Sequence, residues 1–116
     1  MDIRTRRAYE EMAENDGYRV LVDRIWPRGV SKEDLDLDEW CKEVAPSDEL
    51  RKWFDHDPEK WDQFQRRYRN ELDRNDSVKA LIERVRDGRV TLIYGAKDET
   101  HNNAVALRDW LEDKAS

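Results

Sequence analysis

Two short apolar runs lie far apart in this chain, and the segments between them carry helical rather than strand patterning. The first is Val20-Leu21-Val22 and the second is Val90-Thr91-Leu92-Ile93-Tyr94. Both are continuous and biased toward β-branched residues, as expected of strands covered on both faces. The order strand, several helices, strand, helix favours an α/β fold, a small, mainly parallel sheet with helices against its faces. At 116 residues the chain reads as one domain, residues 1–116.

Local signals fill in the rest. Residues 2–8 are expected to form a short, charged edge strand. Glu10 to Tyr18 reads as a polar turn, with Asn15-Asp16-Gly17 as its signal, and a strand over 18–25 follows. Ser31-Lys32-Glu33-Asp34 looks like a helix start whose helix continues toward Glu43 and is stopped by Pro46. Ser47 is a good N-cap for a helix carrying Leu50, Trp53 and Phe54, and Asp57-Pro58-Glu59 repeats that grammar with Pro at the first helical position. Trp61, Phe64, Tyr68 and Leu72 recur at three- and four-residue steps as one apolar stripe. A further helix is expected from about Ser77 to Asp87, with Gly88 as its stop. Gly95-Ala96-Lys97-Asp98 turns the chain into a last helix with Ala104, Leu107 and Leu111 inward.

Charged residues make up 43% of the chain and hydrophobic ones 37%, so the five tryptophans must supply much of the core volume. The net charge of −6 gives no general field for nucleic acid, which makes such a partner unlikely. The start Met1-Asp2-Ile3-Arg4 lacks the apolar stretch of a secretory signal, and no run has the length of a membrane span. A single cysteine, Cys41, fits a reducing compartment, and a cytoplasmic location is expected. Two histidines without one-turn spacing and one cysteine do not make a metal site, so neither metal nor cofactor is expected.

The candidate functional residues are concentrated where the first apolar run ends. Asp23 and Arg24 break the run together, Pro27 removes a ladder N–H and biases Trp26 toward extended geometry, and Gly29 allows an exit with positive φ. Open α/β sheets bind ligands at the C-terminal ends of their strands. Parallel pairing of the two runs would set Arg24 to Gly29 beside Tyr94 to Asn103. Arg24 and Arg28 offer planar forks for phosphate or carboxylate, and unpaired N–H groups at the last helix N-terminus favour an anion. His101, with an unperturbed pKa of about 6.5, is the candidate general acid or base beside Arg24. Trp26, Tyr94, Asn102, Asn103 and Asp23 complete the candidate ligand site, with Asp23 and Asp98 available to hold the arginines or His101. The bland alternative is a structural Asp–Arg pair, with Asp98 or Thr100 capping the helix and the asparagines facing solvent. His56, Arg51 and Lys52 are further candidates for the same cleft. Ser47 lacks a neighbouring His or Gly elbow, against a serine hydrolase.

The segment Tyr18 to Gly29, with its Trp26-Pro27-Arg28-Gly29 block, closely resembles the YeaO-like branch of the DUF 488 family. The likeness continues through Ala45-Pro46-Ser47, Leu50-Arg51-Lys52-Trp53-Phe54 and His56-Asp57-Pro58, and resumes at Val90 to Tyr94 and His101 to Val105. It implies a small cytoplasmic bacterial or archaeal protein and no named reaction. Cys41 stands where the family pattern accepts an aliphatic residue, which argues against a nucleophilic role. Three readings follow: an enzyme or binding protein for a small anionic metabolite, an interaction module docking through Trp53, Phe54 and Trp61, and a nucleic-acid accessory protein. The sequence leaves open whether the chain is catalytic, and its oligomeric state.

Overall fold

The computed structural model describes residues 1–11 and 13–116. Among them is a four-stranded sheet of β1 (Ile3–Arg7), β2 (Tyr18–Leu21), β3 (Glu39–Trp40) and β4 (Val90–Tyr94). Its order is β1-β4-β2-β3, and every neighbouring pair is parallel. The expected pairing of the two apolar runs is present, with Val20 opposite Leu92 and Leu21 opposite Ile93. The charged N-terminal strand lies at the edge, as its composition implies, with Ile3 opposite Val90.

The continuous apolar runs are explained by a core on each face of the sheet. Val20, Val22, Val90, Leu92 and Tyr94 face a large core with Phe54, Phe64, Tyr68, Leu107 and Leu111. Leu21 and Ile93 point to the opposite face, where Ala8 and Leu35 close a smaller one. Neither face can accept polar alternation, so the strands read as unbroken hydrophobes.

Five helices, α1 (Lys32–Leu35), α2 (Asp48–Phe54), α3 (Trp61–Asp73), α4 (Lys79–Asp87) and α5 (Asn103–Ala115), surround the described sheet. Capping chemistry sets several starts. Ser31 Oγ accepts the Asp34 N–H, Ser47 Oγ accepts that of Leu50, and Asp57 accepts that of Glu59. The helix begun at Ser31 lasts one turn, not to Glu43, because Asp36 adopts a left-handed φ of 46° and the chain turns into β3. Strand β2 is shorter than residues 18–25: Leu21 is its last residue, although the Val22 N–H still donates to Ile93 O at 3.0 Å. Gly88 ends α4 with extended backbone, not the left-handed conformation expected of a glycine stop.

The Asn15-Asp16-Gly17 turn is more than a polar connection. Asp16 is buried and accepts from both Arg6 and Arg19, while Thr91 Oγ1 donates to its backbone carbonyl at 2.7 Å. Arg19 in turn donates to Leu35 O and Asp36 O, so each nitrogen of its buried guanidinium group has an acceptor, whereas the buried Arg6 Nε has none. Met12, inside the expected Glu10–Tyr18 turn, lies outside the described residues. Of the tryptophans only Trp110 is buried; Trp53 and Trp61 pack half-buried on the rim of the large core, and Trp40 is exposed. No helix among the described residues is long and apolar enough to cross a membrane.

Candidate functional site

Parallel pairing brings the loops after β1, β2 and β4 to one edge of the sheet, and a cleft of about 610 Å³ opens there. Asp23 to Arg28 line it from the loop after β2, Gly95 and Ala96 from the loop after β4, and Tyr9 from beyond β1. Arg51, Lys52, Asp55 and His56 come from the end of α2, and Asn102 and Asn103 from the start of α5. Phe54 and Phe64, stacked at 4.3 Å between ring centroids, supply apolar wall.

The loop after β2 is fastened by contacts of its own Trp26. The Trp26 indole N–H donates to Val30 O at 2.7 Å, closing a turn across Pro27 and Gly29. Gly29 has φ 80°, the conformation for which glycine is suited. Trp40 meets the Trp26 ring edge-on at 5.3 Å.

Asp23 lies at the junction of strand ends and helix. Its Oδ2 accepts the Gly95 N–H at 2.8 Å and its Oδ1 accepts from Asn103 Nδ2 at 3.0 Å. The same Asn103 Nδ2 donates to Val22 O at 3.1 Å. Burial pushes the Asp23 carboxyl above its ordinary value, while Asn103, the Gly95 N–H and the nearby His56 pull the other way. Asp23 therefore does not hold an arginine. Arg24 turns instead toward Asp48, Nε to Oδ1 3.7 Å, and Arg51 approaches the same oxygen at 3.5 Å. These pairs are exposed and long, so they hold the guanidinium groups near the cleft without committing them.

Of the expected site residues, the fold brings Asp23, Arg24, Trp26, Arg28, Asn102 and Asn103 together. Tyr94 and His101 are not among the lining residues. Tyr94 shares the inward face of β4 with Val90 and Leu92 and is buried in the large core. His101 is engaged elsewhere: its ring meets Trp61 edge-on at 5.3 Å, and Nδ1 lies 2.9 Å from Asp98 Oδ2.

Two N–H groups before α5 have an internal acceptor. Asp98 Oδ1 accepts those of Thr100 at 2.9 Å and His101 at 3.0 Å, which holds this carboxyl well below the usual carboxylate range. Asn102 caps the helix by accepting the Val105 N–H and donates to Asp98 O. The protein's own side chains thus take the two N–H groups just before the helix and that of Val105 within it. Two cationic side chains, Arg51 and Lys52, stand at the α2 side of the cleft.

At that side, Asp55 and His56 carry left-handed backbone, φ 47° and 54°, without glycine at either position. Such conformations cost energy and cluster at functional sites. Their sequence signal was faint, since only His56 and the neighbouring Arg51 and Lys52 marked the segment. Cys41 is buried, and desolvation with Glu39 and Glu43 nearby pushes its thiol up to about 11, so it is a packing residue and not a nucleophile.

Residues 2–116 match the family model described as the inactive DUF488-N3 subclade. The chain is 45% identical to the uncharacterised protein YeaO of Escherichia coli K12 over 112 residues, covering 96% of this chain and 97% of that protein. It is 43% identical to the uncharacterised protein Rv3073c of Mycobacterium tuberculosis H37Rv over 111 residues, 94% of this chain and 92% of the other. No solved structure matches it significantly.

Proposed function

The chain belongs to the inactive DUF488-N3 subclade, as a YeaO-like DUF488 protein, and on that premise we propose that it binds a small anionic metabolite without turning it over. One observation carries the reading: Arg24, Arg28, Arg51 and Lys52 outnumber the carboxylates Asp23 and Asp55 in a single cleft of a chain whose net charge is −6. Gathering cations against that overall balance focuses a positive potential at the strand ends, where α/β sheets take ligands. Binding is favoured over turnover because His101, the candidate acid or base, is bound to Asp98 and Trp61 outside the cleft, and the subclade is itself described as inactive.

The alternative of an interaction module draws less support. Trp53 is covered by the cations of Lys60 and Arg67, and Trp61 is packed against Phe64 and His101, which leaves little free aromatic face. Thermal unfolding with inorganic phosphate, tripolyphosphate and citrate tests the proposal. Stabilisation that weakens with added salt is the expected result, and indifference to every anion would overturn it.

A further inference from the structure

We propose that Asp23 is the specificity residue of this cleft and reads paired hydroxyl groups, so that the ligand is a phosphate ester of a polyol or sugar. This rests on the anion-binding reading above. An ionised carboxylate offers about two acceptor directions on each oxygen. The Gly95 N–H occupies one on Oδ2 and Asn103 Nδ2 one on Oδ1, which leaves one on each oxygen. Among the described residues no lysine or arginine forms an ion pair with Asp23, and the adjacent Arg24 goes to Asp48. Asp23 is therefore a fixed carboxylate with unused acceptor capacity, set in a cleft.

The surroundings decide what can use it. A bare anion is repelled at Asp23, so the charged group of the ligand belongs with Arg28, Arg51 and Lys52. An ammonium group would complement Asp23 but would enter the field of those same cations. A neutral O–H donor meets neither objection. Two free acceptor directions side by side on one carboxylate match the two hydroxyls of a vicinal diol. The immobilised Trp26 ring, with Pro27, Pro46 and Phe54, gives the apolar surface that the carbon skeleton of such a ligand requires. The 610 Å³ cleft also exceeds what inorganic phosphate fills and lies in the range of small-metabolite sites.

The test is a matched pair in isothermal titration: sn-glycerol 3-phosphate, which carries the diol, against n-propyl phosphate, which lacks it, with ribose 5-phosphate and tripolyphosphate alongside. The wild type should bind the hydroxylated esters tighter than propyl phosphate by about tenfold or more, the worth of hydrogen bonds to a charged acceptor. Asp23→Asn should erase that difference. If the variant does not fold, the carboxyl carbon resonance of Asp23 in the wild type decides: it should move with glycerol 3-phosphate and stay with propyl phosphate. Equal binding of the matched pair would overturn the role of Asp23 while leaving anion binding in place. Failure of all the esters and of tripolyphosphate would overturn both.

Discussion

Asn103 reaches across 80 residues of sequence to Asp23, donating Nδ2 to Oδ1 at 3.0 Å. With its second bond to Val22 O, this amide fastens the first turn of α5 to the end of β2. Asn103→Ala would leave a half-buried carboxylate oxygen and a backbone carbonyl without this donor, at a cost of roughly 1–3 kcal/mol. Asn103→Asp should cost more, because it sets two carboxylates face to face. Urea denaturation of the two variants should rank them in that order.

Acid should act on Asp98 and Asp23 with opposite signs. Asp98 has a lowered folded pKa, so its stabilisation is complete above the unfolded value of about 3.9 and is lost as pH falls below it. Asp23 has a raised folded pKa, so the folded state takes its proton more readily and stability falls as pH rises from the unfolded value through the folded one. Asp98→Ala should therefore flatten the loss of stability on acidification, and Asp23→Asn should steepen it. Denaturation midpoints between about pH 2 and pH 7 distinguish the two.

The cationic side of the cleft should respond to substitution selectively. An anion at a hundred times its dissociation constant stabilises the native protein by roughly 2.7 kcal/mol. Arg28→Ala or Arg51→Ala should reduce that gain with little change in the unliganded protein, since both side chains are exposed. His101→Ala should leave the anion response intact. Loss of the response in His101→Ala would place the histidine back in the site.

In the core, Phe64→Ala should cost roughly 3–5 kcal/mol, because Phe64 stacks between Phe54 and Trp61 and contacts Tyr68. Trp61→Ala should cost less, since its ring is only half-buried. Comparison of denaturation midpoints checks the ranking.

Two glycines with similar backbone should differ sharply. A Cβ at Gly17 would come within 2.5 Å of Arg89 O, whereas one at Gly29 would meet nothing within 4 Å. Both have positive φ, so both alanine variants pay the backbone strain, about 1 kcal/mol. Gly17→Ala adds a clash with backbone and should lower the melting temperature much further.

The sequence made the sheet and the helix starts legible for a simple reason: apolar runs and capping side chains act locally. Val90–Tyr94 ends where its composition changes, and Ser31, Ser47 and Asp57 each accept the N–H that their positions imply. What was illegible depends on contacts across the chain. Parallel pairing of the two runs points to Tyr94 and His101 in the cleft, yet pleating turns Tyr94 into the core and Asp98 holds His101. Strand β3 and the burial of Asp16 depend on partners elsewhere in the chain: Arg19 and Leu21 for the strand, and Arg6, Arg19 and Thr91 for the aspartate.

The strand order β1-β4-β2-β3 also sets a timetable. The partner of both β1 and β2 is β4, which a ribosome delivers only after most of the chain has been made. Until Val90–Tyr94 emerges, Ile3–Arg7 has no neighbour in the sheet and Tyr18–Leu21 has only the two residues of β3. Long-range parallel pairing of this kind is slow, because loop closure precedes its reward. The arginines along Ile3–Arg7 are charges of the kind that discourage an unpaired strand from joining another chain, so the strand that waits longest for its neighbour is also poorly suited to a wrong one.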